Sequence, residues 1–214
     1  MTLSFPVFAA GMALSLSLIV AIGPQNAHVL RMGLTRQHLW LTVTVCMLSD
    51  IVLIAIGVLG LAQLGGLSDK LQGALIGAGM LFLLVYGWQA FRRFLRPDRA
   101  AIPIEADSPA GGRVRSLMTR RQAVLSALAF SWLNPHAWLD TAVLIGTASL
   151  AHGQGSSVFG AGAAAGSVLW FGVLGVAALW LGRRLDSLLL WRALDGLVAL
   201  MMWATAIWLF QTLL

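Results

Sequence analysis

The chain has 214 residues, of which 59% are hydrophobic and only 10% are charged, and its mean hydropathy is +0.85. A soluble domain carries about 25% charged residues, so this composition excludes one and points to an all-α polytopic membrane protein. A net charge of +6 and a pI of 11.3 would suggest a nucleic-acid partner in a soluble chain. Here the arginines fall between apolar runs, where they set orientation in the bilayer, and no nucleic acid is expected.

A helix needs about 20 apolar residues to cross a hydrocarbon core of about 30 Å. Apolar runs over 5–30, 39–62, 71–91, 122–150, 158–182 and 193–214 predict six spans. No Lys or Arg precedes the first apolar stretch, MTLSFPVFAAGMALS, so that span is expected to stay in the mature protein. Thirteen of the fourteen cationic residues lie in the first, third and fifth loops; only Lys70 lies on the other side. Those three loops are therefore expected to face the cytoplasm. Six spans then put both termini outside, whereas a re-entrant first segment, giving five, would change only the N-terminal side. The single cysteine, Cys46, sits inside an apolar run and excludes an intrachain disulfide and a thiolate metal site.

The third loop, with Pro97, Pro103, Pro109 and the Gly111–Gly112 pair, reads as a flexible linker over 96–121. It separates a first three-helix unit, 1–95, from a second, 122–214. Three is odd, so a repeat of the first unit must enter the membrane the opposite way up, the inverted-repeat plan of many transporters. Similarity between the halves is faint, but each has one interruption in its first span, at Gly23–Pro24 and at Asn134–Pro135. About 12 apolar residues precede the second break and about 15 come after it, so neither side spans alone and the break belongs near the midplane.

A proline frees backbone groups, and in lipid those are tolerated only against protein or along a cavity. One isolated proline is ordinarily a kink satisfied by neighbours. Two, each beside Asn or Gln, at matching places predict a central site built from broken helix ends, drawing on Gly23, Pro24, Gln25, Asn26, Asn134, Pro135 and His136. Asp50, about the twelfth residue of its span, and Asp140, five after Pro135, put two carboxylates at similar depth. Each costs about 2.5–3.5 kcal/mol at the bilayer centre, and no Lys or Arg lies within a span core to neutralise them. A site for a small cation with polar groups is the reading these residues favour, with structural hydrogen bonding as the other.

Further features carry less. Arg192 and Asp195, three apart, are expected to form a local pair. His28 and His136 lie just after the breaks and read more readily as hydrogen-bonded core histidines than as proton relays. Trp138 and Trp170 read as packing before cation stacking. Gly73 with Gly77, and Gly162 with Gly166, suit close helix packing. The Gly160–Gly166 run imitates a dinucleotide loop, but no strand precedes it; no cofactor, metal or catalytic set is expected. An intramembrane aspartyl protease lacks its Tyr-Asp and Gly-x-Gly-Asp contexts, because Leu48–Ser49 and Trp138–Leu139 precede the two Asp. A divalent-metal exporter is the stronger rival, since Asp, Asn and carbonyl oxygens suit hard cations.

Three stretches, IGPQNAHVLRMGL, CMLSDIVLIAIGVLGL and SWLNPHAWLDTAVLIG, resemble the LysE-type lysine/arginine exporter family of bacterial inner membranes. The resemblance runs over nearly the whole chain. The homoserine/threonine branch typically reads PGPN at the first break, where this chain has IGPQN. Two departures stand out: His28 where Phe is expected and Met32 where Gln is common. The resemblance implies export of L-arginine or L-lysine across the inner membrane, with the cationic side chain matched by Asp50 and Asp140 and the carboxylate by amides near a break. Arginine-against-lysine preference, and monomer against homodimer, stay open. The chain has no Walker sequence, so a gradient must drive export. Asp50 and Asp140 are the proton-coupling candidates, Asp50 foremost, because a midplane carboxylate holds either a proton or a cation.

Overall fold

The computed structural model describes residues 4–20, 23–61, 69–95, 118–184 and 188–211. Most of the middle loop, with Arg96, Pro97, Arg99, Pro103, Pro109, Gly111, Gly112, Arg113 and Arg115, lies outside them. Among the described residues every regular element is helical: α1 (Ser4–Ile19), α2 (Pro24–Thr35), α3 (Leu39–Ile56), α4 (Asp69–Leu95), α5 (Arg120–Trp132), α6 (Pro135–Ala137), α7 (Ile145–Leu150), α8 (Ser156–Arg184) and α9 (Leu188–Gln211). Among the described residues two helices are long and apolar enough to cross a membrane, Leu39–Gly60 and Gly153–Gly182. The pair α1 and α2, bent by 75° at the first break, makes a third if counted as one span.

Both interruptions are present. α1 ends at Ile19 and α2 begins at Pro24; α5 ends at Trp132 and α6 begins at Pro135. Proline is stable at a helix's first position because that N–H has no partner anyway, so each proline starts a new helix. The fold also contains two wider π turns that hydrophobic spacing does not predict, Gly57–Leu61 after α3 and Trp138–Leu144 after α6. They lie against each other backbone to backbone. A Cβ on Gly57 would overlap the Ala142 carbonyl, and one on Gly146 would come within 2.7 Å of the Gly57 carbonyl carbon. Gly57→Val should therefore force the two turns apart, costing about 1–3 kcal/mol. Thermal unfolding in detergent would measure it, and an unchanged midpoint would show that the contact yields freely.

Small residues also bring α1 and α8 together. A Cβ at Gly162 would strike the Phe8 carbonyl, one at Gly11 the Phe159 carbonyl, and one at Gly166 would lie 3.0 Å from the Met12 oxygen. The expectation for Gly162 and Gly166 holds. Gly73 and Gly77 differ, with no described atom within 4 Å. α4 packs on α9 through another face, where Leu83 and Ala90 are buried with Val198 and Met202.

The short helix α2 is the centre of the fold. Nine of its twelve residues are buried, with Ala27 in one apolar cluster and Val29 and Met32 in another. A polar helix survives there only if its side chains find partners. Asn26 Nδ2 donates to the Ile19 carbonyl at 2.7 Å, closing the break just before it, and Trp170 Nε1 donates to Asn26 Oδ1 at 3.2 Å. His28 stacks on Phe130 with centroids 4.4 Å apart, its Nε2 3.2 Å from Ser126 Oγ. His28 is thus a hydrogen-bonded core histidine.

Candidate functional site

The two breaks meet at one cavity of about 220 Å³. Gly23, Pro24, Gln25 and Asn26 line it from the first break; Asn134, His136 and Asp140 line it from the second; Asp50 reaches it from α3. Pro135 opens α6. Thr141 and Thr205 line the cavity as well. Neither stands out in the sequence, since a lone threonine in an apolar helix is most often bonded to its own backbone. Here both hydroxyls do donate back, Thr141 to the Ala137 carbonyl and Thr205 to the Met201 carbonyl at 2.8 Å. Their remaining lone pairs are what the cavity offers.

The two carboxylates are held differently. Asp50 is buried, with Gln25 Nε2 donating to Oδ1 at 3.1 Å and Ser167 Oγ donating to Oδ2 at 3.2 Å. Ser167, on α8, is a supporting residue that sequence reasoning missed, one hydroxyl in a small-residue helix. Asp140 sits in the first part of the π turn and is half-buried. Among the described residues no hydrogen bond fixes its carboxylate, and His136 is its ionisable neighbour.

The breaks differ in the same way. At the second, Asn134 caps the start of α6: Oδ1 accepts from the His136 amide at 3.2 Å and its carbonyl from the Ala137 amide at 3.0 Å. Trp138 Nε1 donates to the freed Trp132 carbonyl at 3.0 Å, so this tryptophan seals the break and packs on Trp132. At the first, Gly23 has no side chain to cap α2, and Pro24 has no amide. The Gln25 amide, in the first turn, is one that helix geometry leaves without an internal carbonyl, and Gln25 lines the cavity.

A charged cluster lies further along. Asp195 Oδ1 accepts from Arg31 Nη1 at 3.2 Å and from Arg93 Nε at 3.0 Å, joining α9 to α2 and α4. The local pair expected with Arg192 does not form. Arg192 instead donates to the Phe94 carbonyl at 3.3 Å and lies over the Phe94 ring. Asp195, with only 13% of its side chain exposed, faces two half-buried guanidiniums, a better match for a desolvated carboxylate than an exposed arginine.

Long apolar helices, with a bent pair beside a polar cavity, mark a membrane protein. Residues 16–212 match the LysE type translocator family, and the chain belongs to it. It is 37% identical over 205 residues to the arginine exporter protein ArgO of Serratia proteamaculans, with 94% of each chain covered. It is 38% identical over 203 residues to the arginine exporter protein ArgO of Yersinia enterocolitica, again covering 94% of each. With the lysine exporter LysE of Corynebacterium efficiens it shares 34% over 220 residues, covering 94% of this chain and 96% of that one. No solved structure matches the chain.

Proposed function

We propose that the chain is a secondary active exporter of L-arginine and/or L-lysine across the bacterial inner membrane, working by proton antiport. The observation that carries the reading is the cavity, which joins two carboxylates to an uncapped helix N-terminus in a chain of this family. A basic amino acid presents one carboxylate and a cationic side chain. The N-terminus of α2 favours the carboxylate, through the Gln25 amide in its first turn and the positive end of its dipole. Asp140, with no hydrogen bond on its carboxylate among the described residues, suits the guanidinium or ammonium. Asp50, held by Gln25 and Ser167, is the proton carrier. Relatives named for arginine and lysine export support the same substrates. The rival reading, a divalent-metal exporter, has no such support.

Alternating access in this reading uses two inverted units, 1–95 and 122–214, joined by the 96–121 linker. The packing supports the exchange of first with fourth, second with fifth and third with sixth spans. α1 packs on α8 as α3 packs on α5, α2 touches α9 as α4 touches α6, and the pairs α4–α9 and α3–α8 map onto themselves. The arginine-rich loops face the cytoplasm.

Vesicles containing the purified protein and loaded with labelled arginine test the function. Arginine or lysine should exchange, and neutral amino acids and divalent metals should not compete. Asp140→Asn should weaken arginine binding by about 10- to 100-fold, the loss of one charge-assisted contact of about 1.5–3 kcal/mol. Transport of a metal with no arginine flux would overturn the proposal.

A further inference from the structure

A second cavity, of about 600 Å³, opens at the corner between α2 and α3, away from the carboxylates. Its polar lining is Arg36, His38 and Arg120, its apolar lining includes Trp40, Leu41 and Leu179, and among the described residues no acidic one lines it. The corner is built rather than loose. Arg36 Nη2 donates to the Gly182 carbonyl at 3.0 Å, fastening it to the end of α8. His38 Nε2 lies 2.8 Å from the Met118 carbonyl, and the Met118 amide donates to Gln37 Oε1 at 3.0 Å, fastening it to the approach to α5.

The backbone there is unusual. Arg36 and His38, with φ of 54° and 48°, are the non-glycine residues in the left-handed region among those described. Glycine serves that position after a helix at no steric cost. The chain instead places an arginine and a histidine there and holds them by hydrogen bonds, and such outliers gather where a side chain is needed in one place. Arg120 is exposed at the first position of α5, where the helix dipole adds positive potential. Arg36 spends one donor on Gly182 and retains others of its five.

A positive floor beside an apolar wall matches a molecule with an anionic head and hydrocarbon tails. Trp40, half exposed beside the pocket, is the residue type that settles at headgroup level. Free phosphate would use the arginines and leave Trp40, Leu41 and Leu179 facing nothing. We propose that this corner binds the phosphate headgroup of an anionic phospholipid of the cytoplasmic leaflet, with Arg36 and Arg120 on the phosphate and an acyl chain along Trp40, Leu41 and Leu179. The proposal rests on the cytoplasmic orientation of the arginine-rich loops and is independent of the substrate.

The test is native mass spectrometry of the purified full chain, equilibrated with phosphatidylglycerol and phosphatidylcholine in one detergent. The parent should retain one phosphatidylglycerol with a preference of about 30-fold, as about 1 kcal/mol for each of two arginines near an anionic surface implies. The Arg36→Gln/Arg120→Gln protein should bind the two lipids within about twofold of each other. Arg120→Gln alone, which leaves the Arg36–Gly182 and His38–Met118 fastenings intact, should fall between and covers the case in which the double variant does not fold. Arg121→Gln, exposed and outside the pocket, should behave as the parent. Millimolar inorganic phosphate should not displace the lipid. Retained full preference in the Arg36→Gln/Arg120→Gln and Arg120→Gln proteins, or full displacement by phosphate, overturns the proposal. Arginine transport assayed on the same preparations separates this outcome from failure of the exporter reading.

Discussion

Asp50→Asn protein should insert and purify like the parent, yet export arginine about 10- to 100-fold more slowly, with residual movement that ignores a pH gradient. Asparagine has the same size and can keep partners in Gln25 and Ser167, both of which touch Asp50, so the fold has little reason to suffer. The charge is what disappears. On the proposed reading export needs it, because a bacterial interior is electrically negative, and moving a cation outward costs about 2.3 kcal/mol per 100 mV, close to a 50-fold bias against export. A proton entering as the amino acid leaves cancels the charge movement and draws on the pH difference. One carboxylate supports that exchange, since it holds a proton or a nearby cation but not both favourably. Vesicles clamped at one potential decide the matter. Reversing the pH gradient should slow or reverse arginine flux in the parent and leave the Asp50→Asn protein unmoved. Flux that tracks potential alone in the parent would make this a uniporter.

The breaks and the carboxylates are legible in the sequence because they rest on local chemistry. Pro24 and Pro135 cannot continue a helix from upstream, and an Asp twelve residues into an apolar run has no cheap explanation. Their convergence on one cavity is foreshadowed by the matching positions in the two halves. What stays hidden depends on how helices pack. Ser167 is one hydroxyl among glycines and alanines, and only the approach of α8 to α3 puts it on Asp50. Thr205 becomes a lining residue because α9 closes the cavity. The π turns leave no mark in hydrophobic spacing, since they widen a helix through backbone contacts such as Gly57 against Ala142. Arg192 and Asp195 mislead for a related reason. Spacing of three makes a helical pair available, but α2 and α4 bring Asp195 two arginines that are less hydrated.

Those two arginines set up the other large effect. Arg31 and Arg93 expose 19% and 30% of their side chains and share one oxygen of Asp195, itself 13% exposed. Arg93 Nη2 is buried without a hydrogen-bond partner among the described residues, and the Arg93 guanidinium lies 5.7 Å from the Tyr86 ring centroid. Removing the carboxylate leaves two like charges facing each other. A fully buried pair loses about 3–5 kcal/mol when one partner goes and an exposed one about 0.2–1, so this cluster should lose about 2 kcal/mol. For a chain of this length that is a fall of about 4–8 °C in the unfolding midpoint, expected for Asp195→Asn. Arg93→Gln should cost less, because Arg31 keeps the carboxylate and one repulsion is relieved. The double variant should be more stable than Asp195→Asn alone, a coupling that a merely disruptive substitution would not give. The cluster also bears on access. Arg31 lies six residues beyond Gln25, about 9 Å along α2, and Asp195 ten residues before Thr205, about 15 Å along α9. Both helices thus run from the cavity to one latch at the arginine-rich end, and α2 cannot part from α9 there while the latch holds. In a Cys46→Ser background, a cysteine at Thr205 should react faster with an impermeant thiol reagent from that side once Asp195 is Asn. Equal stability and equal labelling in the parent and Asp195→Asn proteins would remove the cluster from both roles.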